Sequence, residues 1–111
     1  MTLTPAQFHI LLTLSEGKRH GYRIMQEIKI RTNGGMELGP GTLYRSIKQL
    51  LTTGLIVELE PEPDTRPEAG KTRRLYDLTP LGRIRTAEEA ERLESLVRWA
   101  RDAMVLEGNG G

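Results

Sequence analysis

Cysteine is absent from the 111-residue chain, which excludes disulfide bonds and thiolate metal sites. Long apolar runs are absent too: none approaches the roughly 18–20 residues that a transmembrane helix requires, and no signal-peptide pattern opens the sequence. We therefore expect a cytoplasmic protein with no membrane partner. Hydrophobic residues form 37% of the chain and charged residues 28%, which is typical of one ordinary folded domain.

Residue types that support catalysis are also scarce. The chain has two histidines, His9 and His20, and no nucleophile–base pair or metal-spaced set accompanies them. The turn Gly39-Pro40-Gly41 lacks the Gly-Lys-Ser/Thr ending of a phosphate-binding loop. We therefore predict a protein that is not an enzyme and that uses no metal or cofactor.

Acidic residues are missing from one particular stretch, since none lies between Thr42 and Thr53. The net charge of the whole chain is only +1, but residues 17–54 carry seven basic and two acidic residues, an excess of five positive charges. From residue 79 onward, five basic residues face six acidic ones. This asymmetry favours phosphate binding beside the acid-free stretch, and a merely solvated basic surface is the alternative.

The acid-free stretch lies in the segment 38–56, LGPGTLYRSIKQLLTTGLI, which we predict to be mostly one helix. Pro40 has the φ preferred at a first helical position, and Gly54 ends the helix. One face is apolar and consists of Leu43, Ile47, Leu50 and Leu51. The opposite face is uncharged or basic, with Tyr44 on its flank, and consists of Thr42, Arg45, Lys48, Gln49 and Thr52. A short helix of this kind suits the major groove of DNA.

Two further helices precede it. Thr4 and Pro5 are the start signals of the first, which Glu16-Gly17 closes; its inward positions are Phe8, Leu11, Leu12 and Leu14. The second begins near Tyr22, reaches about Arg31 and ends in a glycine-containing breaker cluster; its apolar positions are Ile24, Met25 and Ile28. The second and third helices together predict a helix-turn-helix. Tyr22 is placed either to reach a backbone phosphate or to pack at the start of its helix.

Two short strands follow, Leu55–Glu60 and Arg73–Leu78, with a polar loop rich in proline between them. Such a pair after a helix-turn-helix predicts a wing. Its returning side carries three basic residues that are placed to contact phosphates or the minor groove, namely Lys71, Arg73 and Arg74.

The last predicted helix begins at Thr79-Pro80 and runs to about Leu106. Its apolar face consists of Leu93, Leu96, Val97, Ala100 and Met104, widened by Trp99, Ala103 and Leu106. A face this wide exceeds what a small winged domain can bury, so we predict a homodimer. We therefore divide the chain into a DNA-binding domain at 1–78, a dimerisation helix at 79–107 and a disordered tail at 108–111.

Three segments, HGYRIMQEI (His20–Ile28), LGPGTLYRSIKQLLTTGLI and RRLYDLTPLGR (Arg73–Arg83), resemble the PadR family of bacterial transcriptional regulators. The resemblance extends from Thr4 to about Met104. It implies a mainly α (α+β) fold: a winged helix-turn-helix with a two-stranded wing and a single long C-terminal dimerisation helix, as in the short subgroup. It also implies a homodimer that binds a palindromic DNA operator, usually represses, and is released by a small hydrophobic or phenolic molecule or another signal.

The resemblance also implies roles for individual residues. The candidate DNA-contacting residues are Tyr22, Gly41, Thr42, Tyr44, Arg45, Lys48, Lys71, Arg73 and Arg74. Trp99 is either an effector contact between subunits or an aromatic residue of the dimer core. The candidate dimer residues are Leu93, Leu96, Val97, Trp99, Ala100, Ala103 and Met104. A competing hypothesis is a winged-helix adaptor that binds other proteins and not DNA.

Overall fold

A computed structural model describes residues 2–60 and 74–107 of the chain. The elements in order are α1 (Pro5–Ser15), β1 (Arg19–His20), α2 (Gly21–Arg31), α3 (Pro40–Thr52), β2 (Ile56–Leu59), β3 (Leu75–Leu78) and α4 (Pro80–Asp102). This architecture confirms the predicted winged helix-turn-helix followed by one long helix. The predicted loop at 61–72 and the predicted disordered tail at 108–111 lie outside the described residues.

Both Thr-Pro pairs start helices as predicted. Thr4 forms a full capping box with Gln7: the Thr4 hydroxyl accepts the Gln7 N–H, and the Gln7 side chain accepts the Thr4 N–H. At α4, the Thr79 hydroxyl accepts the N–H of Gly82 at 2.9 Å. In each case the proline that follows occupies a position whose missing N–H costs the helix no bond.

The core lies where α1, α2 and α3 meet. The most deeply buried side chains of these three helices are Ile10, Leu11, Leu14, Ile24, Ile28, Leu43, Ile47 and Leu50. The prediction for α1 was wrong at Leu12, which is 42% exposed, and it omitted Ile10, which is fully buried. The reason is that α1 packs through Gln7, Ile10, Leu11 and Leu14, a helical i, i+3, i+4, i+7 set that leaves Leu12 outside it.

The sheet has three strands in the order β1-β3-β2, all antiparallel, so the predicted two-stranded wing has an extra strand on its inner edge. In β1, Arg19 pairs with Tyr76 and His20 with Leu75. A two-residue strand has no periodicity to detect, and it exists here because β3 presents a free edge to the segment that precedes α2. The wing therefore attaches directly to the start of α2.

Helix α4 ends four residues earlier than the predicted limit near Leu106. Met104 adopts φ +62°, its N–H bonds the Arg101 carbonyl at 3.0 Å, and the Val105 N–H bonds the Ala100 carbonyl at 2.9 Å. This pair of bonds is a Schellman ending, in which a left-handed residue turns the chain out of the helix. Ala103 and Met104, both predicted dimer residues, therefore lie just beyond the helix.

The start of α4 is anchored to the end of α3. The Thr79 hydroxyl donates to the Gly54 carbonyl at 2.7 Å, and the Thr79 N–H donates to the Leu55 carbonyl at 3.1 Å. Gly82 lies directly against that same Leu55 carbonyl, which leaves no room for a Cβ atom. The direction of α4 is thereby set relative to α3.

A buried carboxylate on α4 is held by arginines of the same helix. Glu89 is 4% exposed, and Arg92 donates to both of its oxygens, with Nε 3.1 Å from Oε1. Arg85 lies 3.8 Å away on its other side. The hydrogen bonds from Arg92 hold the pKa of Glu89 below its ordinary value. Beyond Glu89 no described residue of α4 is buried, so the distal half of the helix projects from the body.

Candidate nucleic-acid interface

The outward face of α3 is exposed along its whole length. Leu43, Ile47 and Leu50 are at most 2% exposed and hold the helix in the core. Four of the predicted contact residues lie on the exposed side, namely Gly41, Thr42, Arg45 and Lys48. The structure thus brings together, on one helix face, four of the six candidates that precede the wing.

Most basic residues near α3 are already paired with carboxylates. Arg19 and Arg23 both bind Glu27, with Nε–Oε2 distances of 2.7 and 3.0 Å. Lys29 binds Glu37 at 2.9 Å, and Arg31 binds Glu16 at 3.2 Å; these are the remaining paired cations of α2. In the part of the chain that the structure describes, neither Arg45 nor Lys48 has a carboxylate partner. The positive charge that is available to a ligand is therefore concentrated on α3 more sharply than the sequence count suggests.

Glu27 joins β1 to α2 through its two arginines. Burial by itself raises the pKa of this carboxyl, but the hydrogen bonds and charges of Arg19 and Arg23 outweigh burial, and the net pKa is lowered. The carboxylate is therefore ionised at neutral pH and neutralises part of the basic surface. Its arginines connect β1 to α2, and the single carboxylate offsets one of their two positive charges.

Tyr44, on the flank of α3, is seated on α2. A Cβ atom built on Gly21 would lie 2.9 Å from the Tyr44 hydroxyl oxygen, so any larger residue at the start of α2 would displace this ring. The ring remains 47% exposed. The glycine of the HGY segment therefore has a packing reason, and Tyr44 links the two helices of the helix-turn-helix whatever else it touches.

The same flank continues to the wing. Tyr76 on β3 is 2% exposed; burial raises the pKa of its phenol, and the nearby Glu58 carboxylate raises it further. Arg74 lies beside it, with Nη1 3.7 Å from a Glu58 oxygen. Arg74 is therefore tied to the opposite strand of the wing but keeps an exposed guanidinium. Lys71 and Arg73, the other predicted wing contacts, lie outside the described residues.

Tyr22 is 62% exposed, so the alternative in which it packs at the start of α2 is wrong. Its side chain lines a shallow groove between α2 and the segment that leads to α3, together with Lys29, Ile30 and Glu37. The phenol is therefore accessible to a ligand on the helix-turn-helix side of the molecule.

The predicted dimer residues form a separate surface on the projecting part of α4. Leu93 and Ala100 are half-buried, whereas the others are exposed in the single chain: Leu96, Val97, Trp99, Ala103 and Met104. Trp99 is 69% exposed. Val105 and Leu106, beyond the helix end, add to the uncovered apolar area.

Gln49 also lies on the exposed surface of α3, although it was not among the candidate DNA contacts predicted from the sequence. Its side chain accepts a hydrogen bond from Gln7 of α1 at 3.0 Å. The Thr-x-x-Gln capping pattern at Thr4 was readable in the sequence, but its connection to α3 was not.

In the described ranges no group of three His, Asp or Glu side chains is placed to hold a metal ion. None of the helices there is long and apolar enough to cross a membrane.

The model of the Transcriptional regulator PadR-like family matches residues 10–88, from α1 through the first part of α4. The chain belongs to this family. Its members are transcriptional regulators and not enzymes. Transcriptional regulator Rv3488 of Mycobacterium tuberculosis is 34% identical over 92 residues, which cover 83% of this chain and 78% of that protein.

Solved structures share the fold. A transcriptional regulator from Clostridium thermocellum matches with a TM-score of 0.73 and 27% identity, over 86% of this chain and 89% of that one. Bacillus subtilis PadR, solved in complex with operator DNA, matches with a TM-score of 0.68 and 20% identity, over 80% of this chain and 48% of that one. At this lower identity the likeness establishes the common fold.

Proposed function

We propose that this PadR-family regulator is a sequence-specific DNA-binding repressor that acts as a homodimer on a palindromic operator. The observation that carries the proposal is the exposed face of α3, which has no acidic residue. It carries two cations, Arg45 and Lys48, that have no carboxylate partner among the residues the structure describes. The operator complex of B. subtilis PadR, which has the same fold, supports this assignment.

In the proposed complex α3 enters the major groove. Arg45 reads a guanine edge, because its fork of donors matches the two acceptors of that base. Thr42 and Tyr44 contact a phosphate or a thymine methyl group, and Lys48 contacts a phosphate. Gly41 allows the backbone of α3 to approach the DNA closely. Tyr22 supplies a phosphate contact from α2, and the wing contributes Arg74 with Lys71 and Arg73.

The exposed apolar face of α4 is the proposed dimer surface. It begins beyond Glu89, where contact with the body ends, and it contains Trp99. This supports the division into a DNA-binding domain at 1–78 and a dimerisation helix at 79–107. Two α3 helices related by the dimer axis would then be spaced by about one DNA turn, roughly 34 Å.

An effector would act at the same surface. A small hydrophobic or phenolic molecule between two α4 helices changes operator affinity only if it prefers one helix spacing over another. Since Trp99 is on this face, binding should change its fluorescence. Titration with hydrophobic cations and phenolic acids tests this, and a fluorescence that none of them alters would count against a ligand role for Trp99.

The DNA-binding proposal is tested with Arg45→Ala. We expect a loss of roughly 1–3 kcal/mol in operator affinity and relaxed specificity at one base pair. Arg31→Ala is the matched control, since it removes an arginine that is already paired with Glu16, and it should bind nearly as the wild type does. The operator is obtained by sequencing genomic DNA that the purified protein retains. A uniform loss on all sequences would make Arg45 a phosphate contact.

The adaptor hypothesis is tested in the same experiment. DNA binding by lysine and arginine weakens steeply as salt is added. A wild-type protein that shifts no genomic fragment even at low salt would refute the repressor proposal and favour the adaptor.

The dimer is tested with Val97→Glu, which places a charge in the middle of the exposed face of α4. Because Val97 is 40% exposed in the single chain, the substitution should leave the monomer folded. Sedimentation should then show a wild-type dimer and a variant monomer. A wild-type monomer at micromolar concentration would contradict the proposal.

A further inference from the structure

The orientation of one amide on α3 is determined by a chain of hydrogen bonds that starts at the N-terminus of α1. The Thr4 backbone N–H donates to Oε1 of Gln7 at 2.9 Å. A backbone N–H cannot accept a hydrogen bond, so Gln7 must turn its carbonyl oxygen toward Thr4. The NH2 group of Gln7 must therefore point the other way, toward α3.

The hydrogen bond between Gln7 and Gln49 fixes the orientation of the second amide in turn. Nε2 of Gln7 donates to Oε1 of Gln49 at 3.0 Å. Because an amide NH2 group has no acceptor capacity, Gln49 must present its oxygen to Gln7. Flipping either amide would bring two donors face to face. The orientation of both amides therefore follows from the bonding network.

Both ends of the Gln7 amide form hydrogen bonds, whereas Gln49 is held only through its oxygen. Gln7 is 7% exposed and is held at both ends, by the capping box and by Gln49. Gln49 is exposed, and within the described ranges its NH2 group has no hydrogen-bond partner. Gln49 lies four residues after Arg45 and seven after Thr42, so it is on the same side of α3 as both.

We propose that Gln49 is a donor-only DNA contact and a determinant of operator specificity. This rests on the proposed function, in which α3 enters the major groove. The exposed NH2 group donates to an acceptor: a phosphate oxygen, or an acceptor atom on the edge of guanine or thymine. It does not make the two-bond pair with adenine that a free glutamine forms, because that pair needs the oxygen and the NH2 group to face the base together, and the oxygen is turned toward Gln7.

Two nearly isosteric variants test the proposal in separate parts. Gln49→Met tests the DNA contact, and Gln7→Met tests the fixed orientation of the Gln49 amide. Gln49→Met removes the donor without adding charge and should weaken operator binding roughly three- to tenfold, the range for one lost hydrogen bond. Gln7→Met frees the Gln49 amide to rotate. Gln26→Met, a change of the same kind at an exposed glutamine of α2, is the matched control and should bind as the wild type does.

Selection of binding sites from a randomised operator library distinguishes the two acceptors. If the acceptor is a base, Gln49→Met loses preference at one base pair, and Gln7→Met gains acceptance of adenine there. If it is a phosphate, Gln49→Met loses affinity uniformly and Gln7→Met keeps the wild-type preference. Thermal unfolding of each variant verifies that the protein stays folded, since Gln7→Met also removes half of the α1 capping box.

Three results would overturn the inference. If the wild type binds operator and Gln49→Met binds it equally well, the Gln49 contact is refuted and the proposed function stands. A wild-type preference for adenine that Gln49→Met abolishes would refute the locked orientation. A wild-type protein that binds no DNA would remove both proposals together, so the two failures are distinguishable.

Discussion

Gly41→Ala should change stability and DNA binding in opposite directions. Gly41 is the second residue of α3, after the N-cap Gly39 and Pro40. A Cβ atom built there meets no atom within 4 Å, so the protein itself has no steric need for glycine at this position. Alanine is the better helix former by about 0.5–1 kcal/mol, because it loses less backbone freedom on folding. We therefore expect a gain of that size and a rise in Tm of roughly 2–6 °C.

Operator affinity should fall in the same variant. Gly41 lies on the outermost line of α3, four residues before Arg45 and seven before Lys48, so an added methyl group would stand between the helix and the DNA. We expect at least a tenfold loss, which corresponds to about 1.4 kcal/mol. Fluorescence anisotropy on a labelled operator and thermal melts at equal protein concentration measure the two effects separately.

Gly39→Ala is the matched control for the stability effect. Its Cβ atom also meets nothing within 4 Å, but Gly39 is the N-cap, where alanine is less favourable than glycine. This variant should lose a little stability where Gly41→Ala gains. A Gly41→Ala protein that is more stable and binds operator as tightly as the wild type would refute the close approach of α3 at this residue.

Two further predictions concern the frame around α3. Gly82→Ala should destabilise the protein by about 2–4 kcal/mol in chemical denaturation, because its methyl group would overlap the Leu55 carbonyl and force apart the junction that Thr79 makes with α3; a loss under 1 kcal/mol would show that the junction yields easily. Glu27→Gln should flatten the acid limb of the stability curve. The lowered folded-state pKa of Glu27 stabilises the native state above the ordinary carboxyl pKa, and this contribution is lost as the pH falls through the folded value. Equal acid limbs in urea titrations of the two proteins would contradict it.

Much of the fold was predictable because its signals are local. The Thr-Pro starts of α1 and α4, the apolar stripe of α3 and the glycine stop at Gly54 each depend on a few neighbouring residues. Periodicity and capping report such features directly. The charge count also predicted a phosphate-binding surface around α3. The count overstated the positive charge that is available to a ligand. Four of the seven basic residues in that segment form ion pairs with carboxylates, and a count along the sequence does not show which charges are paired.

The errors occurred where the deciding partner is distant along the chain or belongs to no repeating pattern. Ile10 is buried and Leu12 is exposed, the reverse of the prediction, because α1 has apolar residues on more than one side. Only its packing against α2, α3 and α4 selects the buried set. The early end of α4 follows from the left-handed turn at Met104, a conformation that sequence assigns to glycine or asparagine rather than methionine.

The sequence by itself therefore determined the order of the helices, the acid-free face of α3 and the resemblance that family membership confirms. Tertiary structure alone decided three things: that Gly21 makes room for Tyr44, that Gly82 makes room for Leu55, and that Gln7 turns the amide of Gln49 outward. Each of these joins residues more than 20 positions apart. Short-range pattern has no access to such pairs, because they exist only after packing has brought separate helices within hydrogen-bonding or van der Waals distance.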